Sequence, residues 1–161
     1  MIQRIQTIWL MFGLLGVLFV LTLPIITFTT TTIADGQTTE TTHVIKGLGH
    51  YEAIGDQVKK TESFTLGIAL VGFLVAAYLL CIFSFRNRKR QLGLCWTIIL
   101  LIFGLVAVLL VKIQPYQQVE LRNQQLGISA FLPTVSIICT LLARRAIARD
   151  EALVRSADRL R

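Results

Sequence analysis

Along the chain, apolar positions gather into four long blocks separated by polar stretches, rather than alternating or recurring at amphipathic spacing. Ile8–Phe28, Phe64–Phe85, Leu92–Val111 and Leu126–Ala143 each run about 18 to 22 residues with no acid or base inside. That is the length a helix needs to cross about 30 Å of hydrocarbon. The pattern predicts an all-α membrane protein, a bundle of four transmembrane helices over about 8–28, 64–85, 92–112 and 126–145. The first block is too long for the 7–15-residue core of a signal peptide, and Thr29–Thr32 stands where small residues would mark cleavage. It reads as a retained span, with Pro24 kinking its last turn.

Between the first two blocks, residues 29–63 form the one outer loop long enough for structure of its own. Thr27–Ile33 is β-branched and aromatic, Asp35-Gly36 is a hairpin-turn dipeptide, and Thr38–Ile45 is again rich in Thr and Val. A lone hairpin is marginal in water. Val119 and Leu121 alternate with polar residues in Ile113–Leu121, which could supply a third strand. A small hairpin or sheet over the outer helix ends is therefore expected; a solvated Thr-rich loop is the alternative. After the fourth block, Ala143–Arg161 has no Gly or Pro and favours helix. Ile147, Leu153, Val154, Ala157 and Leu160 make a weak apolar stripe, and Glu151 with Arg155 is an i, i+4 pair. The fourth span should run on into a tail helix over 146–161.

Composition agrees. Of the 161 residues, 54% are hydrophobic and 16% charged, against roughly 25% charged in a soluble domain. Soluble globular, disordered and disulfide-stapled classes are excluded. The distribution of charge then sets direction. Arg4, Arg86, Arg88, Lys89, Arg90, Arg144, Arg145, Arg149, Arg155, Arg159 and Arg161 lie on one side, with only Asp150, Glu151 and Asp158. The other side holds five bases (Lys46, Lys59, Lys60, Lys112, Arg122) and six acids. Excess bases favour the cytoplasm, so the threading is N-in/C-in, with loop 29–63 outside. Trp9 and Trp96 would then stand near the inner interface. The net charge of +7 needs no nucleic acid: these bases sit at membrane ends, where anionic inner-leaflet lipid attracts each by about 1 kcal/mol.

Candidate chemistry is sparse. Cys81, Cys95 and Cys139 lie near the inner ends of spans, in a reducing setting, and read as small buried hydrophobes. A thiol metal or redox site and S-acylation are lesser alternatives. His43 and His50 are both in the outer loop, which excludes a bis-histidine haem within the bilayer. With Glu40 or Glu52 they could hold a surface metal, but loop histidines without cysteines seldom do, so neither metal nor cofactor is expected. No titratable residue lies inside a span, and no phosphate loop, hydrolase elbow or metalloprotease motif is present, so no enzyme is expected. Ser129, Thr134, Ser136 and Thr140 give the fourth span a polar face, expected to serve packing, with a substrate path as the alternative.

The start, Met1-Ile2-Gln3-Arg4-Ile5-Gln6-Thr7, and the end, from Arg145-Ala146-Ile147 through Asp150-Glu151, Leu153–Ser156 and Asp158–Arg161, resemble a family of four-span membrane proteins of Bacteroidota catalogued as domain of unknown function 4293. The match rests on about thirty terminal residues and the span layout. It implies the inner membrane of a diderm bacterium and a periplasmic loop 29–63, and it carries no catalytic or binding residues. The layout is also similar to claudin-type proteins, in shape only, because their paired loop cysteines are absent. Three classes remain: an accessory or scaffold subunit, a small transporter or channel, and a membrane enzyme or lipid-handling protein. For the first, the two ends would form one cytoplasmic docking surface, drawing on Arg4, Arg86, Arg88, Lys89, Arg90, Arg145, Arg149, Glu151, Arg155, Asp158 and Arg159. A protein partner or a second copy of the chain could occupy it.

Overall fold

A computed structural model describes residues 3–34, 37–54, 57–85, 87–114 and 122–159. Four helices carry the apolar blocks: α1 (Gln3–Thr22), α2 (Thr65–Phe83), α3 (Arg88–Ile113) and α4 (Leu132–Arg159). Each is long and apolar enough to cross a membrane. Five strands form one antiparallel sheet: β1 (Pro24–Ala34), β2 (Gln37–Lys46), β3 (Gly49–Ile54), β4 (Gln57–Ser63) and β5 (Arg122–Leu126), in the order β4-β3-β2-β1-β5. The sheet stands where α1 and α3 end and where α2 and α4 begin.

Helix contacts run α1 to α2, α2 to α3, α3 to α4 and back from α4 to α1, the last pair being the most extensive. Val17, Val20, Leu74, Tyr78, Ile98, Ile102, Leu105 and Ala143 are buried between them. Outward, large apolar side chains are bare: Phe73 is 66% exposed and Leu100 71%. An apolar surface of this extent is unfavourable in water and fits hydrocarbon. Close approach of α1 and α4 requires Gly16, where an added Cβ would collide with the Ser136 hydroxyl.

Two expectations need correction. The first block does not remain helical to Phe28: α1 ends at Thr22, and residues from Pro24 onward are strand. Proline has no amide hydrogen and clashes with the preceding turn, and the β-branched residues that follow suit the sheet. So Pro24 does not kink a span; it begins β1. Buried Ile25, Ile26 and Phe28 owe their apolar character to the sheet rather than to the bilayer. At the fourth block, Leu126 belongs to β5 and Ile128–Ala130 to a 3-10 turn, so α4 starts at Leu132.

The expected hairpin is present and longer than foreseen. β1 and β2 pair from Ile33↔Thr38 back to Ile26↔Ile45, while the Asp35-Gly36 turn lies outside the described residues. Two further strands, β3 and β4, follow in the chain around Gly47, Gly49 and Gly55. A strand after α3, β5, begins at Arg122 and pairs with the edge of β1; residues 115–121, which hold most of the strand expected over Ile113–Leu121, lie outside the described residues. The connection from β2 into β3 depends on Gly49. Its φ is +148°, and a Cβ there would collide with the Glu62 carbonyl oxygen.

Gly49→Ala should therefore destabilise the protein by about 1–3 kcal/mol. Thermal unfolding in detergent, followed by loss of the monodisperse species, would measure it. An unchanged midpoint would show that the β2–β3 corner is free to relax.

Candidate functional site

Polar side chains collect in three places: between α1 and α4, at the helix ends away from the sheet, and on one face of the sheet. Along α4, Ser136 Oγ donates to the Leu132 carbonyl at 3.0 Å, and Thr140 Oγ1 donates to the Ser136 carbonyl at 2.8 Å. Thr140 Oγ1 also meets the Tyr78 hydroxyl at 2.8 Å, joining α4 to α2. Ser129 Oγ donates to the Val20 carbonyl at the end of α1. Three of the four residues read as a polar face are thus buried and bonded within the protein. Thr134 is exposed and points away from them. Between the sheet and the α3–α4 ends lies a cavity of about 200 Å³ lined by Ile25, Ile26, Leu109, Ile113, Ser129 and Pro133, mostly apolar.

At the opposite end, α1 and α4 are tied by a buried hydrogen bond from Gln6 Nε2 to Asp150 Oδ2. Ile147 is fully covered one turn earlier. Beyond this point α4 leaves the rest of the chain, because Leu153 and Val154 are exposed. Of the proposed docking residues, Arg145, Arg149, Lys89 and Arg90 are exposed, and Arg88 and Glu151 are half-buried. The side chains of Arg4, Arg86, Arg155, Asp158 and Arg159 lie outside the described residues. Arg144 lies over the Trp96 ring at 4.7 Å. Arg144 Nε and Arg88 Nη1 are buried with no hydrogen-bond partner among the described residues.

The thiols lie toward this same end. Cys81 and Cys95 face each other with sulfurs 3.8 Å apart, and Gln91 donates to the Cys81 carbonyl at 3.1 Å. All three cysteines are free and buried. Cys81 and Cys95 pack α2 against α3, and Cys139 lies on α4.

On the sheet, strand pairing puts residues 43 and 52 directly opposite, and residue 50 beside them on the same face. Phe28 pairs with His43 from the other side and stacks on its ring at 4.9 Å. The imidazoles of His43 and His50 lie nearly parallel, with centroids 5.2 Å apart. His43 Nδ1 is 3.1 Å from His50 Nε2. Glu52 Oε1 stands 3.8 Å from His43 Nδ1 and 3.9 Å from His50 Nδ1. Thr30 Oγ1 is 2.8 Å from His43 Nε2, and the same hydroxyl donates to the Thr41 carbonyl at 3.5 Å.

Among the described residues this is the one group of three side chains able to ligate a metal, with donor atoms all within 4.8 Å. The sequence held both histidines and offered Glu40 or Glu52 as partner. Only the register selects Glu52, and no spacing rule pointed to Thr30.

Burial holds the His50 imidazole below its ordinary pKa, the charge on His43 adds to this, and Glu52 and Glu62 oppose it. A histidine lowered in the folded state resists protonation that the unfolded chain accepts. Stability therefore falls as pH drops below about 6.5, the unfolded value. Unfolding midpoints at pH 7.5 and 5.5 should show a loss in the wild type that is smaller in His50→Gln. Equal losses would place the acid sensitivity elsewhere. Gln6→Ala should cost about 1–3 kcal/mol, because Asp150 would stay buried without its donor. The same unfolding assay reads it, and Gln6→Asn should recover little of the loss because its amide is one methylene short.

Compared with known proteins, the chain matches over residues 2–160 a family model described as Domain of unknown function (DUF4293). No curated protein matches it.

Proposed function

We propose that this chain, which belongs to the family described as Domain of unknown function (DUF4293), is an integral inner-membrane accessory or scaffold protein of a diderm bacterium. Both termini and the α2–α3 connection face the cytoplasm, and the sheet faces the periplasm. The charge asymmetry supports that direction: eleven bases and three acids at one end, five bases and six acids at the other. The four helices then act as a bundle whose interior serves packing.

The observation that carries the reading is how the polar groups of α4 are engaged. Ser129, Ser136 and Thr140 bond to backbone carbonyls of α1 and α4, and Thr140 also meets Tyr78. A transported polar solute needs such groups unengaged along a path. Here the described interior is filled by apolar side chains such as Val17, Leu74 and Ile102.

Docking falls to the cytoplasmic end. Gln6 and Asp150 hold the two termini together, and the exposed Arg145 and Arg149 share that end with the uncovered Leu153 and Val154. A partner presenting acids around an apolar strip would complement it. Anionic lipid headgroups suit the buried nitrogens of Arg88 and Arg144, which have no hydrogen-bond partner among the described residues.

The test is crosslinking with mass spectrometry in native membranes, comparing wild type with Arg145→Glu/Arg149→Glu. Truncation after Ala143 would be a poor probe, because it would remove the buried Ile147 and Asp150. The double variant should keep its membrane level yet lose a specific crosslinked protein. An unchanged crosslink pattern would overturn the docking role, and solute flux through proteoliposomes of the purified chain would overturn the scaffold reading.

A further inference from the structure

We propose that His43, His50 and Glu52 form a binding site for a transition-metal dication of the zinc class on the sheet, with Thr30 as a positioning residue. The site is independent of the docking role and lies at the other end of the molecule.

Thr30 Oγ1 lies 2.8 Å from His43 Nε2 and 3.5 Å from the Thr41 carbonyl oxygen. In the tautomer a metal needs, His43 carries its proton on Nε2 and donates it to the Thr30 hydroxyl, which in turn faces the Thr41 carbonyl. That leaves His43 Nδ1 as a lone pair, on the side of His50 and Glu52. A ligating histidine commonly donates its other N–H to an oxygen that fixes tautomer and ring orientation. Thr30 fills this role without any change of rotamer.

The spacing suits a small cation. Two ligands at about 2.0–2.1 Å in a tetrahedron stand roughly 3.3 Å apart, and His43 Nδ1 and His50 Nε2 are 3.1 Å apart. Glu52 Oε1, 3.8 Å from His43 Nδ1, has to move inward by about half an ångström. Its side chain is 31% exposed and free to do so. The histidines are held more firmly, by Phe28 stacking on one ring and by burial of the other. Two imidazoles and a carboxylate suit zinc, copper or nickel better than magnesium or calcium. Three protein donors leave a fourth position for water, and the half-exposed Glu52 side gives the ion a route in.

Strand order makes the site a staple. His43 is on β2, and His50 and Glu52 are on β3. One ion would tie the two strands together, and through Thr30 it would reach β1. The exposed Lys59 pairs with Glu52 from β4; its charge opposes the ion, reduced by solvent screening.

The chain has only two histidines, both in this cluster, which makes the test clean. The full-length protein in lipid nanodiscs, stripped with chelator, would be titrated with Co²⁺, and Zn²⁺ then added in competition. Expected are saturation at one Co²⁺ per chain, ligand-field bands of nitrogen and oxygen donors, and displacement by Zn²⁺. With Cu²⁺, electron spin-echo spectra of the wild type should show imidazole nitrogen, a readout needing no mutant. His43→Ala should abolish saturable binding; Glu52→Gln and Thr30→Val should each weaken it by roughly tenfold or more. Absence of saturable binding would overturn the proposal and leave the pair as a plain hydrogen bond. So would thiolate charge-transfer bands, which would place the ion on Cys81 and Cys95, or binding unchanged in His43→Ala.

Discussion

Without water in the hydrocarbon, each polar group at membrane depth has to find its partner inside the protein. The rest of this structure follows from that requirement. It keeps charges out of the four apolar blocks and favours helix over most of their length, because a helix satisfies its own backbone. It also explains the hydroxyls of α4. Ser136 and Thr140 return their hydrogens to carbonyls of their own helix, and Tyr78 meets Thr140 from across the interior. Such bonds contribute about 0.6 kcal/mol each; left unpaired, the same groups would cost more. Where α1 and α4 touch, Gly16 makes room for Ser136, so the helix pair with the most extensive contact also accommodates a buried hydroxyl.

Polar chemistry is in consequence displaced to the two ends, and the ends differ. At one, a buried bond between Gln6 and Asp150 joins the first and fourth helices, with exposed arginines around it. At the other, the chain uses water-side space for a sheet. Five strands bury one face through Ile26, Phe28, Ile45 and His50, which a lone hairpin could not do. β5 arrives from between α3 and α4 and covers the edge of β1. Sheet and helices are thereby linked at several points, Gly47 donating its amide hydrogen to the Val20 carbonyl among them. The imidazole pair sits in this half-buried layer, where it is shielded enough to be oriented and open enough to be reached.

Much of the architecture was legible in one dimension because hydrophobicity is a local property. The four spans, the hairpin around Asp35-Gly36 and the continuation of the fourth helix all follow from runs of residue types. Errors occurred where one property served two environments. Ile25, Ile26 and Phe28 are as apolar as the span before them, and only Pro24 hints that helix gives way to strand. Leu126 is similar: it opens the uncharged run that leads into α4, yet its backbone pairs with β1. β3 and β4 were missed because Glu, Lys and Gly are weak strand formers, and it is pairing with β2 that holds them extended.

By itself the sequence determined where the segments long and apolar enough to cross a membrane lie, and which end carries the bases. Those features depend on composition summed over windows as long as the bilayer is thick. Tertiary structure decided what no window contains. Strand register chose Glu52 over Glu40 as the neighbour of His43 and His50, and brought Thr30 from 13 residues away to the His43 ring. Helix packing joined Gln6 to Asp150 across 144 residues. Partners so distant in the chain meet only when the fold closes, because each contact depends on the placement of elements between them.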